Sequence, residues 1–332
     1  MPKTRVKFNN SNGVTPNTFM QNFGKSNINI TQFTLLHEKF MEAKTLEGLA
    51  PRTLEDHVKH FKFFKKYIET IQRTELDQIF LSKDLFKNYV AYMLLEKKYA
   101  PCTINLRITS LKCYLNWLFK EKYTTENYSL YLVRVKRPQD TILPLTKEEV
   151  KKMLNVVDTG TYAGIRDFTM MIIILDCGIR PQELCNVKIN EVDFKNKLLK
   201  VNAQTAKTRK SRELPLSKQS LHLLKQLISI SEENQSPYIF MSSQTADKLD
   251  HNVAAKNFEK YGKRAGIKKR CTPYVFRHTF ATNAVKKGMD TFTLQRIMGH
   301  ALITTTRQYV QLDTRDLVRS HEKTNFLNEY FK

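Results

Sequence analysis

Cysteine is scarce and scattered: five thiols in 332 residues (Cys102, Cys113, Cys177, Cys185 and Cys271), with no Cys-x-x-Cys pair. That spacing provides neither a disulfide framework nor a zinc site, and it reads as reduced, mostly buried thiols. Long apolar runs are missing too, since the longest, Met170 to Leu175, falls far short of a bilayer span. The chain does not open with a basic segment followed by an apolar core and cleavage site, and no basic amphipathic anchor or lipidation motif stands out. No membrane partner is therefore expected, and the cytoplasm is the expected location. Carboxylates are in deficit, with 32 Asp and Glu against 55 Lys and Arg and a formal charge of +23. A field of that size favours a polyanion, nucleic acid first. No cluster of carboxylates accompanies the histidines, which disfavours a metal-dependent nuclease.

The length favours two domains. Residues 1–26 hold Asn, Lys, Thr and Gly with no apolar period, and no carboxylate precedes Glu38, so they read as a flexible basic arm. Residues 27–128 have helical periodicity. Leu54, Val58, Phe61, Phe64, Ile68 and Ile71 form one apolar face, with Lys59, Lys62, Lys65 and Lys66 on the polar side. A shorter helix is expected over 83–97. Pro101 and Thr103 announce another, with Thr103 as the expected N-cap and Ile104, Ile108, Leu111, Leu115 and Leu118 as its buried stripe. Periodicity then lapses over a basic linker, 129–145, before Thr146 and Glu149 form a capping box that opens the second domain, 146–332.

That second domain begins with helices, one of them apolar nearly all round (Ile165 to Leu175) and so expected in a core. The runs VDF and LLKVN, joined by a turn at KNK, predict a hairpin, and ELPL after the basic TAKTRKSR segment predicts a third strand. Helices resume after Ser217, with Gly288 a C-terminal stop, Thr291 the cap of the next helix, and a final helix over 313–331.

Several residues suit phosphodiester chemistry. Arg180 lies in GIRPQELCNV with Glu183 one helical turn on, and Lys207 lies in TAKTRKSR. Arg277 and His278 begin a helix, Gly299 and His300 close the run MGH, and Tyr309 stands nine residues after His300. Taken singly, each has an ordinary reading: a helical ion pair for Arg180, a solvated turn charge for Lys207, a satisfied core histidine for His278, a helix-end imidazole for His300 and a packing phenol for Tyr309.

Taken together they resemble the tyrosine recombinase, or phage integrase, family. GIRPQEL is similar to the family's first arginine box, TAKTRKSRELPL to its lysine hairpin, TPYVFRHTFAT to its second arginine box, and MGH with Tyr309 to its terminal histidine and nucleophile. The order and the His300-to-Tyr309 spacing make the match specific. YAPCTINLRITSLKCYLNWLFKEKY, 99–123, is similar to the last long helix of the family's core-binding domain, which closes around duplex DNA with the catalytic domain. The resemblance implies a mainly α fold, with an all-helical core-binding domain and an α+β catalytic domain bearing a small antiparallel sheet.

It further implies a set of roles. Arg180 and Arg277 clamp the scissile phosphate, a task suited to planar, permanently charged guanidinium groups. Lys207, its pKa lowered by neighbouring arginines, protonates the leaving 5′-oxygen. Tyr309 attacks to form a 3′-phosphotyrosyl bond, and His300 either accepts the phenol's proton or hydrogen-bonds the phosphate. Glu183 orients Arg180. No metal, no ATP and no other cofactor is implied, and the partners are double-stranded DNA and three further copies in a homotetramer on two sites. The one departure is Tyr274, where the family's second box commonly has His. Its phenol can donate to a phosphate oxygen but titrates at about 10, which leaves proton transfer to Lys207 and His300. Two rivals share the motifs: a type IB topoisomerase, which relaxes DNA without exchange, and a DNA-binding protein that kept the fold and lost activity. The short arm tilts the reading toward a simple recombinase or a mobile-element enzyme. The last helix, with Leu317, Phe326, Leu327, Tyr330 and Phe331 apolar, docks either on a neighbour or on its own domain.

Overall fold

A computed structural model of the chain describes residues 28–71, 79–136, 142–203, 210–310, 321–322 and 327–330. The chain divides into two compact units, the first ending at Gln139 and the second beginning at Asp140. The fold is mainly α, with a small antiparallel sheet in the second unit.

The first unit is an aromatic-rich helical body. Helix α1 (Ile30–Leu46) opens on a capping box in which the Asn29 side chain accepts from the Gln32 backbone at 2.9 Å. Gly48, at φ +73, turns the chain into α2 (Pro51–Ile71). The buried stripe of α2 runs through His57, Phe61, Phe64 and Ile68, which leaves Val58, expected inside, 37% exposed. His57 takes the inward place because Ser110 meets its Nδ1 at 2.9 Å, a partner that a valine could not use. Lys59, Lys62, Lys65 and Lys66 all face solvent. Helix α3 (Lys83–Ala91) runs on into a π turn at Tyr92–Glu96. Helix α4 (Pro101–Lys120) starts earlier than Thr103 predicts, and Ala100 holds the cap position. Proline is pre-shaped for the first helical position and has no N–H to satisfy, so Pro101 takes that place and Thr103 falls inside the first turn. Ile104, Ile108, Leu111, Leu115 and Leu118 are buried as expected, around Phe33, Phe40, Phe64, Phe86 and Tyr114. Tyr128 and Leu132 join this core, and Asn105 holds Val135 through two 2.9 Å backbone contacts. The segment after 128 thus packs on the first unit as far as Val135, although the sequence pattern reads as linker from 129.

The second unit opens with α5 (Lys147–Asn155), capped by Thr146 and Glu149 as expected. The apolar helix α6 (Tyr162–Cys177) lies in the core with Met170, Met171, Ile173 and Ile174 fully buried. A short α7 (Pro181–Cys185) leads to β1 (Val192–Asp193), β2 (Leu198–Val201) and β3 (Arg212–Pro215), paired antiparallel in chain order. Helices α8 (Lys218–Glu233), α9 (His251–Arg264), α10 (Pro273–Lys286), α11 (Thr291–Met298) and α12 (Ile303–Arg307) follow. Ser217 caps α8, accepting from Ser220 N at 3.2 Å. Asp290, not Thr291, caps α11, because its carboxylate reaches two backbone N–H groups, of Phe292 at 2.9 Å and Thr293 at 3.0 Å. A buried polar knot ties α6 to α9: Asp167 accepts from Arg166 Nε at 2.9 Å, Asn257 at 2.8 Å and Tyr261 at 3.2 Å, and Arg166 also donates to Met241 O at 2.8 Å.

All five thiols are free, three of them buried, whereas Cys102 is exposed. The expected arm over 1–26 and most of the expected helix over 313–331, including Leu317, Phe326 and Phe331, lie outside the described residues. Leu327–Tyr330 is a helical turn with both end residues exposed. Among the described residues no helix is long and apolar enough to cross a membrane.

Candidate active site

The site is assembled around one helix end. An α-helix leaves its last carbonyls without intrahelical partners, and they form the negative end of its dipole. At the end of α11 three successive carbonyls each accept from a different arginine: Ile297 O from Arg212 Nε at 2.9 Å, Met298 O from Arg277 Nη2 at 2.7 Å, and Gly299 O from Arg180 Nη2. The three side chains come from β3, α10 and the turn before α7.

Local sequence explains how each arrives. Gly178 ends α6 at φ +64, and a Cβ there would lie 2.3 Å from the Phe280 ring, so only glycine lets α10 pack this close. The chain then extends through buried Ile179 to Arg180, and Pro181 starts α7. Arg277, 5% exposed, points from α10 to Gly178 O as well as to Met298 O. Glu183 completes the cluster. Its Oε1 accepts from Arg180 Nη1 at 3.0 Å and Arg212 Nη1 at 3.1 Å, and its Oε2 from Arg180 N at 3.2 Å and Arg212 Nη2 at 2.6 Å. Three guanidinium groups therefore face one carboxylate, and the excess is positive.

Burial, reinforced by that excess, sets the protonation of its neighbours. Burial above all, then Arg180, pushes Arg277 down to about 9, which still leaves it charged at neutral pH. Burial first, then Arg277, Arg180 and Arg212, pushes His300 down to about 4, so the imidazole is neutral. Its Nε2 lies 3.1 Å from Arg277 Nη2 and its Nδ1 2.9 Å from Thr306 Oγ1. Arginine can only donate, so Nε2 accepts, and the proton belongs on Nδ1, donated to Thr306. Burial raises the Glu183 pKa, but the ion pairs with Arg212 and Arg180 prevail and hold it below the usual carboxylate value.

Tyr309 follows α12 in a turn closed by its own N–H on Thr306 O at 3.0 Å. Its ring lies nearly parallel to that of His300, centroids 6.4 Å apart, and 5.0 Å from the ring of His278. Burial raises its pKa, opposed by Arg277.

The structure thus brings together Arg180, Arg277, His300 and Tyr309, with Glu183 hydrogen-bonded to Arg180. Lys207 lies outside the described residues. Tyr274, on the first turn of α10, is 55% exposed. His278, expected as a core histidine, is half-buried with its ring beside that of Tyr309. Arg212, Thr306 and Gly299 take parts that the motifs did not assign. Arg212 was readable in one respect: it is in phase with Leu214 and Leu216, both buried, so strand alternation turns it inward. Among the described residues no group of three or more His, Cys, Asp and Glu is placed to hold a metal ion.

The model of the Phage integrase family matches residues 144–315. The chain is 30% identical over 293 residues to tyrosine recombinase XerA of Pyrococcus horikoshii, covering 87% of this chain and 93% of that protein. It is 25% identical over 301 residues to tyrosine recombinase XerC of Chlamydia caviae, covering 85% and 95%. Among solved structures, the Tn1549 transposon integrase in complex with a circular intermediate DNA shares the fold at a TM-score of 0.71 and 17% identity, covering 90% of this chain and 100% of that one. A lambda integrase dimer bound to a COC′ core site does so at a TM-score of 0.67 and 16% identity, over 86% and 100%. The chain belongs to the phage integrase family of tyrosine recombinases, and with that membership it is a recombinase enzyme.

Proposed function

We propose that the protein is a site-specific DNA recombinase that cleaves and rejoins strands of duplex DNA through a covalent bond to Tyr309. The observation that carries this reading is the convergence of Arg180, Arg277 and His300 on the end of α11, with the Tyr309 ring stacked alongside. The net charge of +23 supports a polyanionic substrate, as do the DNA complexes of the structural neighbours.

In this mechanism the free N–H groups of Arg180 and Arg277 hold the non-bridging oxygens of the scissile phosphate and stabilise the charge that grows there. The Tyr309 oxygen attacks phosphorus, the bond to the 5′-oxygen breaks, and a 3′-phosphotyrosyl bond forms. Lys207 gives its proton to the departing 5′-oxygen. Attack by the 5′-hydroxyl of another strand reverses these steps and restores the phosphodiester, so the bond energy is conserved and neither ATP nor a metal is consumed. Both nitrogens of His300 are engaged in the DNA-free state. Its Nε2 becomes free to take the phenol's proton when Arg277 turns to the phosphate. Tyr274, exposed on the first turn of α10, donates to a DNA phosphate in this reading. Four copies on two sites exchange strands, in integration, excision or resolution.

The test is a nicked duplex carrying the protein's own site, incubated in EDTA. The expected result is a covalent protein–DNA adduct that Tyr309→Phe abolishes. If the unaltered protein binds this duplex and forms no adduct, the reading fails. Exchange between two labelled sites separates recombination from relaxation alone, and the mass of the complex on paired sites tests the tetramer.

A further inference from the structure

Arg212 stands outside the set of residues proposed to touch DNA, yet it is among the most constrained side chains of the site. Its side chain is 8% exposed, its two terminal nitrogens both reach Glu183, and its Nε reaches the end of α11. We infer that Arg212 is a positioning residue for strand cleavage: it fixes the Glu183 carboxylate against the end of α11 and thereby aims Arg180. The inference rests on the function proposed above.

Two geometric facts carry it. Glu183 is the shared partner of Arg180 and Arg212, and it touches both through both oxygens. A carboxylate held by four hydrogen bonds has little freedom to tilt, so the Arg180 guanidinium keeps one orientation. Ile297 O and Gly299 O are held by Arg212 and Arg180 respectively, so the two arginines grip the same helix end two residues apart. Removing Arg212 would leave Glu183 hydrogen-bonded to Arg180 alone, and leave Ile297 O without its side-chain donor.

The charges facing Glu183 are Arg180 on its own turn, Arg212 on β3 and Arg277 on α10, with the neutral imidazole of His300 beside them. Arg212 is the strongest of the influences that keep the buried carboxyl ionised. Without it, Glu183 takes up a proton at higher pH, and a protonated Glu183 no longer pairs with Arg180. The consequence is a pH dependence that an effect on folding alone does not produce.

The experiment measures single-turnover adduct formation on the nicked duplex across the acid-to-neutral range. The variants are R212Q, R212K, E183Q and R212Q combined with E183Q, each with its duplex affinity and thermal midpoint recorded. R212Q is expected to lose roughly tenfold to a hundredfold in rate at neutral pH, the scale of a small misplacement of a phosphate-holding group. Its acid limb moves to higher pH than that of the unaltered protein, and adding E183Q removes the moved limb. R212K, which keeps the charge without the fork, recovers part of the rate and shows a smaller displacement. Should R212Q not fold, R212K paired with E183Q carries the same comparison. An unchanged rate and pH profile in R212Q overturns the inference. So does a pH-independent loss that lysine does not repair, which assigns Arg212 to folding alone. Failure of the unaltered protein to form any adduct sinks the proposed function instead, so the two outcomes are distinct.

Discussion

Replacing Gly299 by alanine tests whether the helix end governs catalysis as well as stability. Gly299 terminates α11 at φ +63, a conformation that costs an L-residue about 1 kcal/mol. A Cβ there would also lie 3.0 Å from Arg212 Cζ and Nε and 3.1 Å from Arg180 Nη1, so both guanidinium groups must yield by a fraction of an ångström. Gly288 is the control. It stands in the same left-handed region at φ +87, and a Cβ added to it would meet nothing within 4 Å. The backbone strain that both substitutions share should lower the thermal midpoint of the second unit by about 2–4 °C for a body of that size. Only Gly299→Ala should also slow adduct formation, by roughly tenfold, since displacements well under 1 Å at a phosphate clamp are felt in rate. The assays are differential scanning calorimetry and single-turnover cleavage of the nicked duplex. Equal rate losses in the two variants, or a Gly299→Ala enzyme that is less stable but fully active, would refute the reasoning.

Three other outcomes follow from buried polar groups. Thr306→Val removes the acceptor of the His300 Nδ1 proton while keeping the shape. A buried N–H left unpaired costs about 1–3 kcal/mol, so cleavage should slow by roughly tenfold with duplex affinity unchanged, and an unaffected rate would contradict the assigned tautomer. Asp167→Asn leaves Arg166 buried without its charge partner and should destabilise the second unit by about 3–5 kcal/mol in urea titration; a loss under about 1 kcal/mol would show the knot to be dispensable. His37 stacks on Phe61 at 3.7 Å, and its pKa is pushed down to about 4, by burial first and then by His57. The folded state therefore binds fewer protons than the unfolded one, and stability falls as pH drops from about 6.5 toward 4. Between neutrality and pH 5 this one group should cost the first unit about 2 kcal/mol, and His37→Leu should flatten that dependence in circular-dichroism melts.

Much of the site was legible because its chemistry sits in short, local patterns. Arg180 and Glu183 share one turn, Arg277 follows the first turn of a capped helix, and His300 and Tyr309 are nine residues apart. Arg212 was not legible as a member, since its partners are a carboxylate 29 residues before it and a backbone carbonyl 85 residues after it. A carbonyl is the same in every residue and leaves no mark in a sequence. Local competition explains the misplaced boundaries. Thr103 and Thr291 are sound caps in isolation, but Pro101 and Asp290 next to them satisfy the helix start better. Val58 fits an apolar period, and the distant partners Ser110 and Phe40 favour His57 on the inward side.

The grip of three arginines on three consecutive carbonyls makes α11 a measuring rod. Its eight residues run from the Asp290 cap to Gly299, and the phase of the last turn decides which carbonyl meets which guanidinium. One residue more or fewer would rotate that end by about 100° and shift it by about 1.5 Å, out of step with all three partners at once. The side chains of Ile297 and Met298 can drift within the limits of packing, because none of the three arginines reads them. The number of residues between Asp290 and Gly299 cannot.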